Sequence, residues 1–290
     1  MKKKQAFEYF GEVAESYGNE YYQNYDQLGY YPANFYRLEI IKEKLKQIKP
    51  EKILDIGCGT GDPMKILIKE GFNVHGFDFS QEMVSKAKDN LLLDQIDTDR
   101  VWSDNMENIT HLKFEYPCTI ALGALYYASD FDTALNEMIR ATEKGGDLLF
   151  SLRNSLFSMF TLNQYSLEFY LQNLIQKDLL DDSLMEESLE ILIDKLANES
   201  DKKNKDFSYK NIDQLNVHNT FHNPLEIGSQ IKSYGLELES IDFYHYHASL
   251  PIMEKVNPLK FYEASSKMEV SSDWRGHFMA SAFVVHAKKV

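Results

Sequence analysis

The sequence predicts an α/β fold in which helices cover both faces of a mainly parallel sheet. Three observations carry that prediction. Lys52-Ile53-Leu54-Asp55-Ile56-Gly57-Cys58-Gly59-Thr60-Gly61-Asp62-Pro63 is a short apolar run that breaks into glycine at every second position and then meets helix-start residues. Some twenty residues on, Asn73-Val74-His75-Gly76-Phe77-Asp78 is a second short strand ending in an acid. Further apolar runs alternate with helical patterns, as in a chain of βα units.

The 290 residues suffice for a large core with an inserted segment or cap. A hydrophobic content of 43% indicates a globular chain. The net charge of −14 argues against nucleic acid or an anionic membrane as partner, because no basic field gathers phosphates. The start, Met1-Lys2-Lys3-Lys4-Gln5, lacks the apolar segment of a signal peptide, and no apolar run reaches membrane-spanning length. Two cysteines, Cys58 and Cys118, are too few for a disulfide framework, so a soluble cytoplasmic protein is expected.

The region 6–36 is crowded with aromatics, among them Tyr21, Tyr25 and Tyr31. They suit an amphipathic cover, or a lid whose tyrosines line a substrate pocket. Residues 34–48 read as a helix, with Leu38, Ile41, Leu45 and Ile48 at helical spacing and Pro50 as its stop. Arg37 on that helix is a candidate to meet a carboxylate, on cofactor or substrate.

The glycine turn should cradle a ligand, since glycine lets the backbone approach closely. Its spacing, G-x-G-x-G followed by Asp62, differs from the G-x-G-x-x-G of dinucleotide sites. Asp62 at the helix mouth, expected as its N-cap, would repel a pyrophosphate but could accept from an amino group. S-adenosylmethionine, with an amino-acid end and a sulfonium, fits better than NAD. Asp78 would grip ribose hydroxyls, and Phe79 would cover one adenine face. Ser80 should cap the helix that carries Met83.

The run from Ile53 to Asn90 resembles the core of the class I, Rossmann-like S-adenosylmethionine-dependent methyltransferases, small-molecule type. The resemblance extends well over residues 51–154. It implies a seven-stranded sheet whose last strand is antiparallel, and S-adenosyl-L-methionine as cofactor. It also implies cofactor contacts from Asp55, Gly57, Cys58, Gly59, Gly61, Asp78, Phe79 and Met83. In Arg100-Val101-Trp102-Ser103-Asp104-Asn105-Met106, a third strand and its exit, the resemblance gives Asp104 the adenine amino group. It gives Asn105 the ring through its N–H, and Met106 a place against the ring. A helix cap is the alternative for Asp104.

Thr119 to Tyr127 reads as the fourth strand and its exit, a continuous apolar run suited to a strand buried on both faces. Leu122 and Gly123 should lie near the sulfonium, with Tyr126 and Tyr127 toward the substrate. Pro117-Cys118 looks like a nucleophile pair but precedes the run, at the far end of the sheet, so Cys118 is expected to be a buried thiol. A helix is expected over 131–143, a turn at Lys144-Gly145-Gly146 and a fifth strand over 147–152, followed by Arg153 as a substrate contact.

Residues 155–220 form a helical insertion, a lid or a dimerisation arm, with one stripe at Leu167, Leu171, Leu174 and Ile175. A second stripe runs from Met185 to Leu196 behind a Ser183-x-x-Glu186 capping box. The chain thus divides into a cap (1–50), a cofactor-binding core (51–154), the insertion (155–220) and the C-terminal part of the core sheet (221–290).

A helix over 225–234 ends at Gly235, a strand runs over 236–247, and a closing strand over 278–287. His245 and His247 should share one strand face, with Tyr244 and Tyr246 on the other. Together with His222 and His218 they bring four histidines near the pocket. No acid-rich triad supports Mg²⁺, and no metal is expected. A general base is the better role, for His245, His247 or His222, with His218 contacting substrate. The expected function is methyl transfer to a small hydroxylated acceptor such as a sugar or natural product, oxygen favoured over nitrogen. The alternative is a non-catalytic S-adenosylmethionine-binding partner subunit.

Overall fold

The computed structural model describes residues 31–112, 114–174, 220–269 and 274–290. Tyr21, Tyr25, His218, the stripe from Met185 to Leu196 and nearly all of the aromatic region lie outside them.

The elements run α1 (Ala33–Ile48), β1 (Ile53–Ile56), α2 (Asp62–Lys69), β2 (Val74–Asp78), α3 (Gln81–Leu93) and β3 (Val101–Ser103). Then come β4 (Tyr116–Ala121), α4 (Phe131–Ala141), β5 (Thr142–Asn154), α5 (Phe157–Thr161) and α6 (Gln164–Phe169). The last are β6 (Phe221–His222), α7 (Ile227–Lys232), β7 (Leu236–Tyr246), α8 (Pro258–Ser266), α9 (Gly276–Met279) and β8 (Ala280–Lys289). The strand order is β3-β2-β1-β4-β5-β8-β7, with the two-residue β6 added beside β5. Strands β1 to β5 are parallel, and β8 runs antiparallel between β5 and β7. The expected seven-stranded sheet with its antiparallel last strand is present, with one short strand added. β7 therefore points the same way as β5, toward the glycine turn.

Side-chain alternation divides the core into two layers. Leu54 and Ile56 of β1 and Phe150 and Leu152 of β5 pack under α4 and α7. Ile53, Ile120 and Leu149 face the opposite layer, under α1, α2 and α3. α1 buries Leu38, Ile41 and Leu45 there and ends at Lys49, which takes the left-handed conformation (φ 54°) before Pro50.

Several boundaries move. The N-cap of α2 is Gly61 (φ 74°) rather than Asp62, which is the first helical residue and accepts from Thr60 Oγ1 at 2.6 Å. β4 starts at Tyr116, so Pro117 and Cys118 lie inside it. Cys118 is fully buried opposite Ile53, at the strand end remote from the turn, and burial pushes its thiol well above the ordinary range. β5 begins directly after α4 and includes Arg153 and Asn154. Asn154 Nδ2 donates to the carbonyls of His277 and Ala280, both at 2.8 Å, fastening the end of β5 to the start of β8.

Candidate active site

One cavity of about 250 Å³ opens at the carboxyl ends of β1, β2 and β4, beneath the start of α1. Parallel sheets bind ligands there, where the strand order reverses beside β1. The turn enters the cavity with Gly57, Gly59 and Gly61 at φ of 74°, 54° and 74°, values that side chains disfavour. At Gly57 there is also no room, since a Cβ would come 2.5 Å from that of Ala124.

Asp78 joins the two βα loops. Its Oδ2 accepts from Gly59 N at 2.9 Å, and its Oδ1 from Ser80 N at 3.0 Å. Ser80 Oγ in turn accepts from Met83 N at 3.2 Å, the expected cap of α3. Each carboxylate oxygen keeps a lone pair for a ligand hydroxyl. Phe79, Met83 and Met106 line the same end and offer apolar surface for a flat ring.

Asp55 is 1% exposed and lines the cavity, and neither carboxylate oxygen has a hydrogen-bond partner. Burial is the main cause that pushes its carboxyl up to about 7, with Arg37 opposing and Asp78 adding. A buried carboxylate without donors is costly unless a cation or donor comes to it. Asp55 is the acid that lines the cavity without a partner, so an amino group arriving there would find its acceptor in Asp55. Asp62, given that task from the sequence, points instead at Thr60 and Lys65 and does not line the cavity. Arg37, buried on α1, closes the same wall over Gly123, whose φ is 80°.

Cys58, Asn105, Leu122, Tyr126 and Tyr127 line the cavity with these residues. Gly61 does not. A Cβ there would meet that of Ala87 at 3.1 Å, so this glycine serves the packing of α2 on α3. Asp104 does not line the cavity either. Its carboxylate accepts from Asn105 N at 2.9 Å, Thr110 N at 3.0 Å and His111 N at 2.9 Å. Burial tends to raise it, but those donors outweigh burial and hold the carboxyl below its ordinary range. It is the organiser of the loop after β3, neither the adenine ligand nor the helix cap expected from the sequence.

The substrate and base candidates sit farther out. Tyr31 stacks on His245 with ring centroids 5.3 Å apart, and its hydroxyl donates to Glu269 at 2.6 Å, away from the cavity. None of His222, His245 and His247 lines the cavity. His222 packs on Phe131 and lies 3.2 Å from Thr220 Oγ1, and burial lowers it to about 4. His245 pairs with Ser281 Oγ at 2.8 Å and is lowered to about 3 by burial, then by His247 and Arg153. His247 is lowered to about 4 by burial, and both its ring nitrogens are buried without partners. His245 takes φ 59°, which breaks the two-residue alternation of β7. Tyr244 and Tyr246 consequently lie in opposite core layers rather than on one face. The histidines still come together, with ring centroids 4.9 Å apart. Arg153 projects from the end of β5 behind Tyr126 and Tyr127, a partnership the sequence did not announce. Among the described residues no group of three His, Cys, Asp or Glu side chains could hold a metal ion, and no helix is long and apolar enough to cross a membrane.

Residues 53–146, which build the turn, the two acids and the cavity wall, match the family model described as Methyltransferase domain. Over that stretch the chain is similar to a methyltransferase domain. A ubiquinone biosynthesis O-methyltransferase of Escherichia coli O157:H7 is 28% identical over 118 residues, 41% of this chain and 49% of that protein. The chain therefore spans about half the length of that relative. Among solved structures, magnesium protoporphyrin IX methyltransferase from Synechocystis PCC 6803 with bound S-adenosylhomocysteine aligns with a TM-score of 0.56 at 11% identity, covering 98% of both chains. An S-adenosylmethionine-dependent methyltransferase from Clostridium acetobutylicum ATCC 824 gives 0.52 at 14%, covering 87% of this chain and 90% of that one. At these identities the likeness is one of fold. The residues present fit S-adenosylmethionine, the cofactor that the methyltransferase likeness implies. The orphan carboxylate of Asp55 suits its ammonium, Asp78 its ribose, and the apolar bracket of Phe79 and Met106 its adenine.

Proposed function

We propose that this protein methylates a small hydroxylated acceptor, at oxygen in preference to nitrogen. The observation that carries the reading is Asp55, a buried carboxylate without donors in the same cavity as Asp78 and the glycine turn. S-adenosylmethionine, when bound, supplies an already activated methyl group. The protein's task is then alignment and exclusion of water. In this reading Asp78 takes the ribose hydroxyls, Asp55 the ammonium and Arg37 the carboxylate of the methionine end. The Asn105 N–H meets the adenine, which lies between Phe79, Met83 and Met106. Tyr126 and Tyr127 form the wall toward the acceptor.

A hydroxyl acceptor must lose its proton, and His247 is the best candidate to take it, since neither ring nitrogen is engaged. Its lowered basicity keeps it neutral and able to accept at physiological pH. The lid or dimerisation arm expected over 155–220 falls largely outside the described residues. The test incubates the protein with labelled S-adenosylmethionine and cell extract. Production of S-adenosylhomocysteine together with a labelled small molecule is expected. Cofactor binding without turnover in any extract would count against the reading and favour a binding subunit.

A further inference from the structure

We propose that the acceptor carries a carboxylate and that Arg153, with Tyr127, binds it. This rests on the methyl-transfer reading above and adds to it the chemical class of the acceptor.

The chain is acidic, at −14, and several of its described cations are paired. Lys42, Lys44, Lys65, Lys69 and Arg140 each hold a carboxylate. Arg153 holds none, although it sits inside a largely apolar wall. Its guanidinium carbon lies 4.9 Å from the Tyr126 ring centre, 5.7 Å from Tyr127 and 6.0 Å from Phe221. Nη2 donates to the Tyr127 hydroxyl at 3.0 Å, while Nε is buried without a partner. Aromatic faces stabilise a cation, but they leave an N–H in the guanidinium plane unsatisfied. A planar anion bound edge-on would meet that N–H and a neighbouring one together, the geometry in which arginine holds carboxylates.

The position agrees with an acceptor subsite. Tyr126 and Tyr127 belong both to the cavity wall and to the box around Arg153. In the strand order, β2 carries Asp78, β4 leads to the tyrosines and β5 carries Arg153. The guanidinium is thus displaced across the sheet from the ribose and adenine end. Just past the end of β7, which is separated from β5 by β8, His247 has two further buried nitrogens without partners. Arg153 thus keeps an unsatisfied polar atom behind two residues of the cavity wall, where a polar small molecule would satisfy it. The flanking aromatic rings suit a flat body on that molecule.

The test measures binding of 3,4-dihydroxybenzoate and its neutral isostere 3,4-dihydroxybenzamide by calorimetry to protein saturated with S-adenosylhomocysteine. The acid should bind at least tenfold more tightly than the amide. Arg153→Met should abolish the difference while leaving S-adenosylhomocysteine affinity and the melting temperature near those of the parent. Arg153→Lys, which keeps the charge without the planar fork, should retain part of the difference and guards against a misfolded Met variant. Equal binding of acid and amide to the parent protein, detectable or not, would overturn the proposal. So would a preference for the acid that survives both substitutions. Failure of S-adenosylhomocysteine itself to bind would instead remove the cofactor reading, and this proposal with it.

Discussion

The guanidinium of Arg37 rests on the backbone at Gly123, so close that a Cβ on the glycine would come within 2.5 Å of Nη1. Gly123 N also donates to Ser151 Oγ at 2.7 Å, which fixes the backbone beneath the arginine. Gly123→Ala must therefore displace Arg37 and adopt a φ of 80° with a side chain. We expect a stability loss of about 1–3 kcal/mol, seen in chemical denaturation. Binding of S-adenosylhomocysteine should weaken about tenfold, measured by calorimetry. Unchanged affinity would separate Arg37 from the cofactor.

Asp78→Ala should weaken cofactor binding by about 2–4 kcal/mol, because two charge-assisted bonds go and water replaces them only in part. It also releases Gly59 N and Ser80 N, so the glycine turn should loosen. Calorimetry gives the affinity, and amide exchange at Gly59 gives the loosening. An affinity equal to the parent's would displace the ribose from Asp78.

Asp55 should give the binding a pH dependence. Its carboxyl is raised from 3.8 to about 7, so near neutrality it changes from neutral to charged. An ammonium binds the charged form, so affinity should rise between pH 6 and 8 and level off above. Stability moves the other way. The folded state keeps a proton that the unfolded state has released, so stability is full below about pH 4. It then falls by about 1.4 kcal/mol per pH unit until the carboxyl ionises near 7. Asp55→Asn should flatten both profiles. A steep binding profile in that variant would assign the titration to another group.

His247→Ala should leave S-adenosylhomocysteine affinity unchanged and lower single-turnover methyl transfer by about 10²–10⁴. His245→Ala and His222→Ala should affect turnover less, since Ser281 and Thr220 already engage those rings. Full turnover in the His247 variant would leave the acceptor ionised before it binds.

Asp104→Ala offers a contrast within one loop. Three backbone N–H groups would lose their acceptor, at a stability cost of about 2–3 kcal/mol. Cofactor affinity should fall far less than in Asp78→Ala.

The cofactor half of the site was legible because its chemistry is local. The glycine turn, the acid ending β2 and the cap at Ser80 are each written within a few residues, and apolar runs mark β1, β4 and β8. The acceptor half was not legible in this way. The left-handed φ of His245 is carried by a residue type that gives no warning of it, and it shifts every face assignment after it. Asp104 has the composition of either a ligand or a loop organiser, and only the path of residues 105–111 decides between them. Arg153 meets Tyr126 and Tyr127 across β4 and β5, a contact without a sequence pattern.

The place of β8 in the sheet bears on how the molecule comes to exist during synthesis. β7 is made before β8, yet among the described residues its strand partner is β8, which joins it to β5. Until the ribosome has delivered residues 280–289, β7 can lean on α1, through Lys44 and Asp242, but has no strand to join it to the sheet, and the fastening of Asn154 to Ala280 cannot form. The half built by β1 to β4 can condense earlier, from contacts that lie close together in the chain. A nascent chain would in this order hold a formed cofactor pocket before it owned an acceptor pocket. Pulse-labelled chains released at successive lengths should acquire protease resistance around residues 53–121 first, and around residues 142–154 only after β8 has emerged.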